Sequence, residues 1–330
     1  MIDPRLYSLI KVAEIGSFTR AAEQLSLTQS AVSQHIRQLE QQLGVRIFDR
    51  ANHQIRMTRE GETVLKYAKR MMALTNNLCR ELSSEKQHIT SLTVGITHTA
   101  ESNPIAEALA KYASVHSGFK ITIITDIISN LYDMLKTYEL DLIIVEGRNN
   151  DPTLRSLMLD TDCLVLVTSP NHPLAKKSLV TIDELKREKL ILRLPDSNTR
   201  NQFIASLESQ NLTIDDFNVV LEINNIATIK DLIRHDFGVS VLAKSACLDE
   251  LRKNKIVALP IENLSMMREV NIVYSQDFEH FELLRDIVRT YNEARGLVRE
   301  GDDGKSVVKL SQLPSDSSPS PSIDLSGFLP

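Results

Sequence analysis

Residues 17 to 50 read SFTRAAEQLSLTQSAVSQHIRQLEQQLGVRIFDR, and this stretch decides the fold of the N-terminal part. Ser17 and Thr28 stand just before two apolar patterns of helical period, where a hydroxyl can accept a hydrogen bond from a free amide of the first turn. The patterns predict one helix over Thr19 to Leu25 and another over Gln29 to Leu43. The segment between them is so short that the two helices must cross closely at a tight turn.

Further signals lie on either side of these helices. Arg5 to Glu14 supports an earlier helix, and Gly44 ends the third one. Val45 to Arg50 and Gln54 to Thr58 then predict two short strands, joined as a hairpin by Ala51 to His53.

The third helix has an apolar face and a polar face. The apolar positions recur at helical spacing and can pack on the preceding helix; they are Val32, Ile36, Leu39 and Leu43, opposite Ala21, Ala22 and Leu25. The polar face carries Gln29, Ser30, Ser33, Gln34 and Arg37. Amides and hydroxyls can bond to base edges while an arginine meets a phosphate, whereas a solvated helix would more often carry Glu and Lys. The face therefore favours insertion into the major groove of DNA, with the hairpin as a basic wing.

Charge is divided unevenly along the chain. The net charge is -5, yet residues 1 to 90 hold 13 Lys and Arg against 9 Asp and Glu, which leaves 25 basic and 34 acidic residues beyond. A basic head on an acidic body fits a nucleic-acid-binding segment attached to a part that avoids nucleic acid.

Length and composition indicate two or three domains of a soluble protein. The chain has 330 residues, more than one hydrophobic core usually organises. No apolar run approaches a membrane span, and the N-terminus lacks the pattern of a secretion signal, so we expect a cytoplasmic protein without a membrane partner. Cys79, Cys163 and Cys247 are odd in number and widely spaced, which favours free, mostly packed thiols over a zinc site or disulfides.

A long helix is predicted from Arg59 onward. Its apolar positions follow a heptad spacing that suits pairing with a second helix; they are Val64, Ala68, Met71, Thr75, Leu78 and Leu82. The alternative is a helix that lies on its own domain, because Ala and Thr are weak seam residues. The pattern stops near Ser83 to His88, a polar stretch that we interpret as a hinge.

Beyond the hinge, strands alternate with helices, which predicts parallel strands with crossover helices in two α/β lobes. The strand predictions are Leu92 to Thr97, Lys120 to Ile127, Leu140 to Glu146, Cys163 to Ser169, Lys189 to Leu194, Val219 to Ile223, Val239 to Ala243, Ile256 to Leu259 and Glu269 to Ser275. Residues 297 to 330 are rich in Ser and Pro with little to bury, which predicts a disordered tail.

Leu6 to Leu65 closely resembles, without gaps, the N-terminal winged helix-turn-helix of LysR-type transcriptional regulators. The runs GSFTRAAEQL and TQSAVSQHIRQLEQQLGVRIFDR, followed by MTREG, carry the resemblance, and Met57 stands where the family usually has leucine. It continues more loosely to about residue 296. The fold class that it implies is an α+β and α/β multidomain chain: a winged helix-turn-helix (residues 1–58), a linker helix and hinge (59–90), and a two-lobed effector domain (91–296) similar to type 2 periplasmic binding proteins. Its first lobe would span about 91–162 and 267–296, and its second about 163–266.

The resemblance also implies contacts and partners. The DNA contacts carried over are Thr28, Gln29, Ser30, Ser33, Gln34 and Arg37 on the recognition helix, and Arg50, His53 and Arg56 on the wing. The partners implied are double-stranded promoter DNA, a small-molecule effector and a second copy of the chain, in a homodimer or homotetramer. Contact with RNA polymerase is left open.

Polar loops at the carboxyl ends of the predicted strands mark a ligand cleft between the lobes. The candidate effector contacts are Thr97, His98, Thr99, Ser129, Ser197, Asn198, Thr199, Arg200 and Asn225. Free amides at helix starts, hydroxyls and an arginine favour an anion such as a carboxylate. Each Ser, Thr or Asn could equally be a helix cap. Asp196 and Asn198 occupy places where many family members have glycine, and Glu146 is open between a cleft residue and a hinge-side cap.

Two other classes of protein compete with a regulator. An enzyme with a DNA-binding head would need a phosphate-cradling loop or a catalytic constellation, and neither GxGxxG nor GxxxxGK[ST] occurs. A solute-binding protein for transport would need a secretion signal. His98 and Cys163 have no partner at ligand spacing, so we predict a non-enzymatic DNA-binding regulator with no metal, cofactor or catalytic residue.

Overall fold

The computed structural model describes residues 3–49, 55–87, 90–101, 104–278 and 280–294. Its N-terminal part, which we call the head, contains α1 (Pro4–Ile15), α2 (Phe18–Gln24), α3 (Gln29–Leu43) and the antiparallel strands β1 (Phe48–Asp49) and β2 (Arg56–Met57). The three predicted helices are confirmed to within one residue at each end, whereas both wing strands are shorter than predicted. The predicted turn over 51–53 and the predicted tail over 297–330 lie outside the described residues.

The head has its own apolar core. Ala21, Val32 and Ile36 are fully buried, and small alanines on α2 allow α3 to approach closely. Leu43 was predicted on the same buried face, but 49% of it is exposed. Leu43 is the last residue of α3, and Gly44 ends the helix directly after it in a left-handed conformation (φ 67°), so half of Leu43 stays in solvent.

The linker helix α4 (Arg59–Gln87) is longer than the sequence suggested. It continues through most of the predicted hinge at Ser83 to His88, because no Gly or Pro interrupts it; His88 lies outside the described residues. The predicted seam is also corrected at its start, since Ala68 is buried in the core of the head. The apolar stripe left in solvent along α4 consists of Tyr67, Met71, Leu74, Leu78 and Leu82.

The C-terminal part is built on a seven-stranded mixed sheet in the order β10-β6-β11-β5-β3-β4, with β9 also paired to β6. The strands of this sheet are β3 (Thr90–Ile96), β4 (Phe119–Thr125), β5 (Leu142–Glu146), β6 (Leu154–Thr168), β9 (Ser240–Ala243), β10 (Val257–Leu259) and β11 (Met267–Ser275). A separate parallel pair consists of β7 (Leu190–Leu192) and β8 (Val219–Glu222).

Helices cover the sheets and connect their strands. The α-helices of this part are α5 (His98–Glu101), α6 (Ile105–Val115), α7 (Ile128–Lys136), α8 (Ile182–Leu185), α9 (Asn198–Glu208), α10 (Ile226–Arg234), α11 (Leu248–Arg252) and α12 (Phe281–Ala294). None of the helices in the described ranges is both long and apolar enough to cross a membrane.

The prediction of purely parallel pairing was wrong for part of the sheet. β3 runs parallel to β4 and to β5, but β11 pairs antiparallel with β5 and β6, and β9 and β10 pair antiparallel with β6. The first half of β6 was missed altogether. Asp160 and Asp162 interrupt its apolar pattern, yet both are buried, and they accept hydrogen bonds from Tyr291 and Arg268 respectively.

Two sets of buried side chains divide the C-terminal part. We call the first lobe the part built on the apolar clusters drawn from residues 92–159 and 270–291, and the second lobe the part built on the cluster drawn from 164–266. β6 and β11 run through the boundary between these clusters, so the carboxyl end of β5 and the start of α9 face each other where two antiparallel strands cross over.

Candidate DNA interface and ligand cleft

The polar face of α3 is open to solvent. Thr28, Gln29, Ser30, Gln34 and Arg37 are exposed and Ser33 is half-buried. The Thr28 hydroxyl accepts a hydrogen bond from the amide of Ala31 (3.2 Å), which confirms its N-cap role. Gln29 Nε2 donates to the Ser33 hydroxyl over 2.9 Å, which holds this amide across the first turn of the helix. The face thus presents ordered hydrogen-bonding groups at a helix N-terminus.

Two polar contacts that the sequence did not reveal fix α3 within the head. The fully buried Ser8 hydroxyl of α1 lies 2.8 Å from His35 Nδ1. Glu40 Oε1 accepts from the backbone amides of Ile47 (2.8 Å) and Phe48 (3.3 Å), at the start of the wing. The carboxylate of Glu40 thus ties the far end of α3 to the start of the wing.

Of the three basic residues predicted on the wing, the structure describes one, Arg56. Arg56 is exposed on β2 and pairs with Asp49 in the strand register. Arg50 and His53 lie outside the described residues.

The MTREG segment joins the wing to α4. The Thr58 hydroxyl accepts from the Gly61 amide (2.9 Å) and donates to the Arg46 carbonyl (2.5 Å). A Cβ on Gly61 would lie 2.1 Å from the Ile47 carbonyl oxygen, so only glycine permits this approach of α4 to the wing. The position of the wing relative to α4 therefore depends on two small side chains.

A cavity of about 490 Å³ opens between the two lobes. It is lined by Thr97, His98, Thr99, Asp126, Ile127, Ile128, Ser129, Glu146, Arg193, Leu194, Asp196, Ser197, Asn198, Asn201 and Asn224. Six of the nine predicted effector residues are among them and remain candidates: Thr97, His98, Thr99, Ser129, Ser197 and Asn198. They come from loops that are far apart in sequence and meet at the carboxyl ends of strands.

Three predicted effector residues do not line this cavity. Thr199 is 2% exposed, and its hydroxyl lies 3.5 Å from that of Thr99. Arg200 Nη1 is bound to Glu222 Oε1 (2.7 Å) and to the Arg193 carbonyl (3.1 Å).

Asn225, the third, caps α10 by accepting a hydrogen bond from the Thr228 amide (3.0 Å). Asn225 is therefore a helix cap, which was the alternative left open from the sequence. Thr199 and Arg200 instead contact neighbouring side chains.

Arg193 is the main cleft residue that sequence reasoning missed. It is 2% exposed, and its Nη2 donates to Asn224 Oδ1 over 3.1 Å. Its Nε and Nη1 have no hydrogen-bond partner among the described residues. Burial lowers the pKa of Arg193, while the nearby Glu146 and Glu101 carboxylates act in the opposite direction; an arginine nevertheless keeps its charge in proteins. The available signal was a basic residue inside the apolar run LILRL.

Glu146 faces the cavity, which resolves the choice left open from the sequence. It is 7% exposed, and its Oε1 accepts from the Thr97 hydroxyl at 2.8 Å. Arg268 Nη2 lies 4.0 Å from Oε1 and 3.1 Å from Asp162 Oδ2, so this guanidinium stands between two carboxylates; its Nε and Nη1 have no hydrogen-bond partner among the described residues. The second oxygen of Glu146, Oε2, has no hydrogen-bond partner in the described part of the chain.

Two helix N-termini meet the cavity, and they differ in charge compensation. Ser197 is the N-cap of α9, yet its side chain makes no capping hydrogen bond, so first-turn amides are left for another acceptor. At the start of α7, Asp126 Oδ1 accepts from the Ile127 amide (2.7 Å) and from Asn130 Nδ2 (2.9 Å). The carboxylate of Asp126 is thus hydrogen-bonded at the start of α7, whereas Asp196, in the corresponding position before α9, is exposed and makes no hydrogen bond to that helix among the described residues.

The surroundings of the histidine and the cysteines do not form a metal site within the described residues. His98 Nδ1 lies 3.5 Å from Glu101 Oε2 on the same helical turn. Burial raises the pKa of Cys247 to about 12, and Cys79, expected to be packed, is exposed on α4. Within the described residues, no group of three or more His, Cys, Asp or Glu could hold a metal ion.

Comparison with known proteins matches two family models along the chain. The model of the bacterial regulatory helix-turn-helix of the lysR family matches residues 5–62, and that of the LysR substrate binding domain matches residues 85–295. A probable RuBisCO transcriptional regulator of Thalassiosira pseudonana is 28% identical over 272 residues, covering 81% of this chain and 89% of the relative. The RuBisCO operon transcriptional regulator of Allochromatium vinosum is 27% identical, covering 80% and 86%.

Solved structures share the fold at lower sequence identity. A full-length OxyR variant from Pseudomonas aeruginosa superposes with a TM-score of 0.60 at 23% identity, over 88% of this chain and 95% of that one. Full-length CbnR in complex with its target DNA gives 0.62 at 15% identity, over 89% and 100%.

The two models together match the head, both ends of the linker helix and both lobes, and the relatives are transcription regulators rather than enzymes. The chain belongs to the LysR family of transcriptional regulators.

Proposed function

We propose that this regulator reads its promoter with the polar face of α3 and the wing, and that it senses a small carboxylate between the two lobes of its effector domain. The domains that we assign are residues 1–58 for DNA binding, 59–90 for the linker and 91–296 for the effector. It acts on DNA in the cytoplasm. The single observation that carries the DNA-binding half is the exposed amide-and-hydroxyl face of α3, opposite the buried side chains of Val32, Ile36 and Leu39 on the same helix.

For DNA reading, Gln29, Ser30, Ser33 and Gln34 are assigned to base edges and Thr28 and Arg37 to the backbone. Amides can bond bidentately to adenine, and hydroxyls serve any base as donor or acceptor. Arg50, His53 and Arg56 of the wing are assigned to the adjacent backbone or minor groove. The CbnR complex with its target DNA, which shares the fold, supports the general docking mode and not the individual contacts.

For ligand sensing, the buried guanidinium of Arg193 and the uncapped start of α9 are the groups that a carboxylate would satisfy. A carboxylate accepts two parallel bonds from a guanidinium, and helix N-termini favour anions. Both groups belong to the second lobe and open on the same cavity. This assignment replaces Arg200, which is occupied by Glu222.

For assembly, the stripe of Tyr67, Met71, Leu74, Leu78 and Leu82 is assigned to pairing of two linker helices, each residue being between 47% and 54% exposed. A dimer or a pair of dimers would place two or more copies of α3 on the promoter. A ligand that binds one arrangement of the lobes better than another would shift the oligomer between arrangements and change the spacing of those helices.

DNA reading is tested with Gln29→Ala, footprinted and titrated on the DNA upstream of the protein's own gene. We expect a loss of about 5- to 100-fold in selective binding, equivalent to one bidentate base contact, with nonspecific binding nearly intact. Gln41→Ala, an exposed glutamine at the other end of α3, is the matched control and should change neither. An equal loss of both kinds of binding would contradict base reading by Gln29.

Ligand sensing is tested by thermal shift of the full chain against small mono- and dicarboxylates, each paired with its neutral amide. A ligand that binds only the folded protein raises Tm by mass action. We expect at least one carboxylate to raise Tm where its amide does not, and we expect that shift to disappear in Arg193→Met. Equal shifts by acids and amides would overturn the carboxylate assignment.

A further inference from the structure

The buried charged groups of the cleft have opposite signs on the two lobes. The first lobe contributes the carboxylates of Asp126 and Glu146, and the second contributes the guanidinium of Arg193 together with the uncapped start of α9. Asp196, also on the second lobe, adds a further carboxylate at the rim. Charges of both signs are thus built into one cavity, and its two buried charged groups, Glu146 and Arg193, lie on different lobes.

The buried members of this set are unsatisfied on both sides. Arg193 is 98% buried with two donor nitrogens free of hydrogen bonds, and Glu146 is 93% buried with one oxygen free, among the residues that the structure describes. Buried polar atoms are usually paired, and each unpaired one calls for a ligand, a water or an ion. The free groups demand an acceptor on the second lobe and a donor on the first.

An anion alone would pair with Arg193 and leave Glu146 unpaired. A carboxylate bound to Arg193 would stand near Glu146, whose own charge already acts on that guanidinium, and like charges in a partly buried site repel. It would also leave Glu146 Oε2 without a donor. A cation alone would pair with Glu146 but would be repelled by Arg193 and leave its nitrogens without an acceptor.

We propose that the effector is a zwitterion carrying a carboxylate and a protonated amine, that is, an amino acid or a related aminocarboxylate. Its carboxylate binds Arg193 and the start of α9, and its ammonium binds Glu146 Oε2 with support from Asp126. Because each pole is held by a different lobe, the ligand cross-links the lobes in one arrangement. The proposal rests on the ligand-sensing half of the proposed function and names its substrate class.

The remaining wall suits the rest of such a molecule. Ile127, Ile128 and Leu194 line the same cavity with apolar groups, and Asn201 and Asn224 add amides. A small-ligand site usually combines an apolar lining with a few convergent polar groups that fix the orientation. The identity of the ligand side chain would therefore be read by this mixed part of the wall.

The test uses full-length protein and isothermal titration calorimetry with the standard L-amino acids, preceded by a thermal-shift screen. Each amino acid is accompanied by two probes of the same carbon skeleton: the carboxylic acid without the amine, and the amine without the carboxylate. We expect at least one amino acid to bind at least 10-fold more tightly than either of its two analogues.

Variants assign the two poles. Glu146→Gln should weaken the amino acid at least 10-fold, to the level of its des-amino acid, while the Kd of the des-amino acid stays within 2-fold of wild type or improves. Asp126→Asn should act in the same direction with a smaller effect, and it serves if Glu146→Gln fails to fold. Glu269→Gln is the control, because this carboxylate pairs with Arg148 outside the cleft lining and should leave all affinities unchanged.

The outcomes separate the two proposals. Des-amino acids that bind wild type as tightly as their amino acids, with no effect of Glu146→Gln or Asp126→Asn, would overturn the zwitterion and leave the carboxylate sensor standing. Amines that bind in Arg193→Met as in wild type, with no acid binding at all, would overturn both. A screen in which no amino acid or analogue binds would overturn the zwitterion, and the screen of mono- and dicarboxylates then decides the carboxylate sensor.

Discussion

The head and the cleft hold their candidate functional groups in opposite ways. On α3 the polar groups are exposed to water, above apolar residues such as Val32 and Ile36 that are fully buried. In the cleft, Arg193 and Glu146 are almost fully buried and each keeps unpaired polar atoms. A solvated group loses little when it waits for a partner, whereas a buried unpaired group costs stability until one arrives.

This difference suggests different roles for stability in the two regions. The head is complete before it meets DNA, so DNA binding adds contacts to a finished surface. The cleft carries an unmet demand that a ligand satisfies, so ligand binding should favour the arrangement of lobes in which both walls reach it. Of the two regions, we therefore expect the cleft to be the one that changes its arrangement on binding.

The largest effect should come from Arg193→Met, which breaks the comparison on the cleft side. Removing a buried guanidinium from its ligand should cost about 2–5 kcal/mol of binding. The free energy of unfolding without ligand should change little, because the guanidinium makes one side-chain hydrogen bond, to Asn224, and leaves two nitrogens unpaired. Calorimetric titration and denaturant melts measure the two quantities. A large loss of stability without ligand would show that Arg193 is a structural residue.

Gly61→Ala should be next, and it tests the head. The new Cβ would meet the Ile47 carbonyl oxygen at 2.1 Å, and because that atom is backbone, α4 and the wing must shift. Overpacking of this kind costs about 1–3 kcal/mol. Here, unlike in Arg193→Met, stability and DNA affinity should fall together, while ligand binding persists. The exposed neighbour variant Glu62→Ala should behave as wild type in denaturant melts and DNA titrations.

The two regions also differ in how far the sequence predicts them. The polar face of α3 and its cap Thr28 follow from helical period and local hydrogen bonding, which act within a few residues. The sequence did not predict Arg193 as a cleft residue, and it left the position of Glu146 undecided. Both residues meet in the cleft only because tertiary structure brings together strands that are far apart in the chain. The caps show the limit from the other side: Ser197 and Asn225 look alike in sequence, yet only Asn225 caps its helix.

A similar limit applies to the sheet. The antiparallel crossing of β6 and β11 was missed because Asp160 and Asp162 make the start of β6 look like a loop. Their partners, Tyr291 and Arg268, lie more than a hundred residues away in the chain. Buried polar pairs of long sequence separation leave no periodic signal.

Glu40→Ala sharpens the comparison within the head, and its effect should be moderate. The variant removes the acceptor for the amides of Ile47 and Phe48, two buried residues at the start of the wing. We expect a loss of about 1 kcal/mol in stability. DNA affinity should fall several-fold through the wing, with base selectivity by α3 retained. A selection of binding sites from random sequences would reveal an unexpected change of selectivity.

The smallest effect should be that of Asp151→Asn. Asp151 forms a partly exposed ion pair with Lys136, so it is neither solvated like the polar face of α3 nor buried like Arg193 and Glu146. Asp151 Oδ2 lies 2.6 Å from Lys136 Nζ, and this ammonium, with the hydroxyl and amide of Thr153, holds the pKa of Asp151 well below its usual value of 3.8. Because the folded pKa is lowered, the pair stabilises the protein fully above about pH 4 and loses its contribution as pH falls toward the folded pKa. Melting curves from pH 7 to pH 3 should show a small Tm deficit in the variant at pH 7 that shrinks below pH 4.

Lys136→Met should give a similar deficit, and the double variant should lose less than the sum, since both changes remove the same interaction. A deficit that stays constant with pH would mean that the carboxylate acts there through packing and hydrogen bonds to Thr153 rather than through its charge.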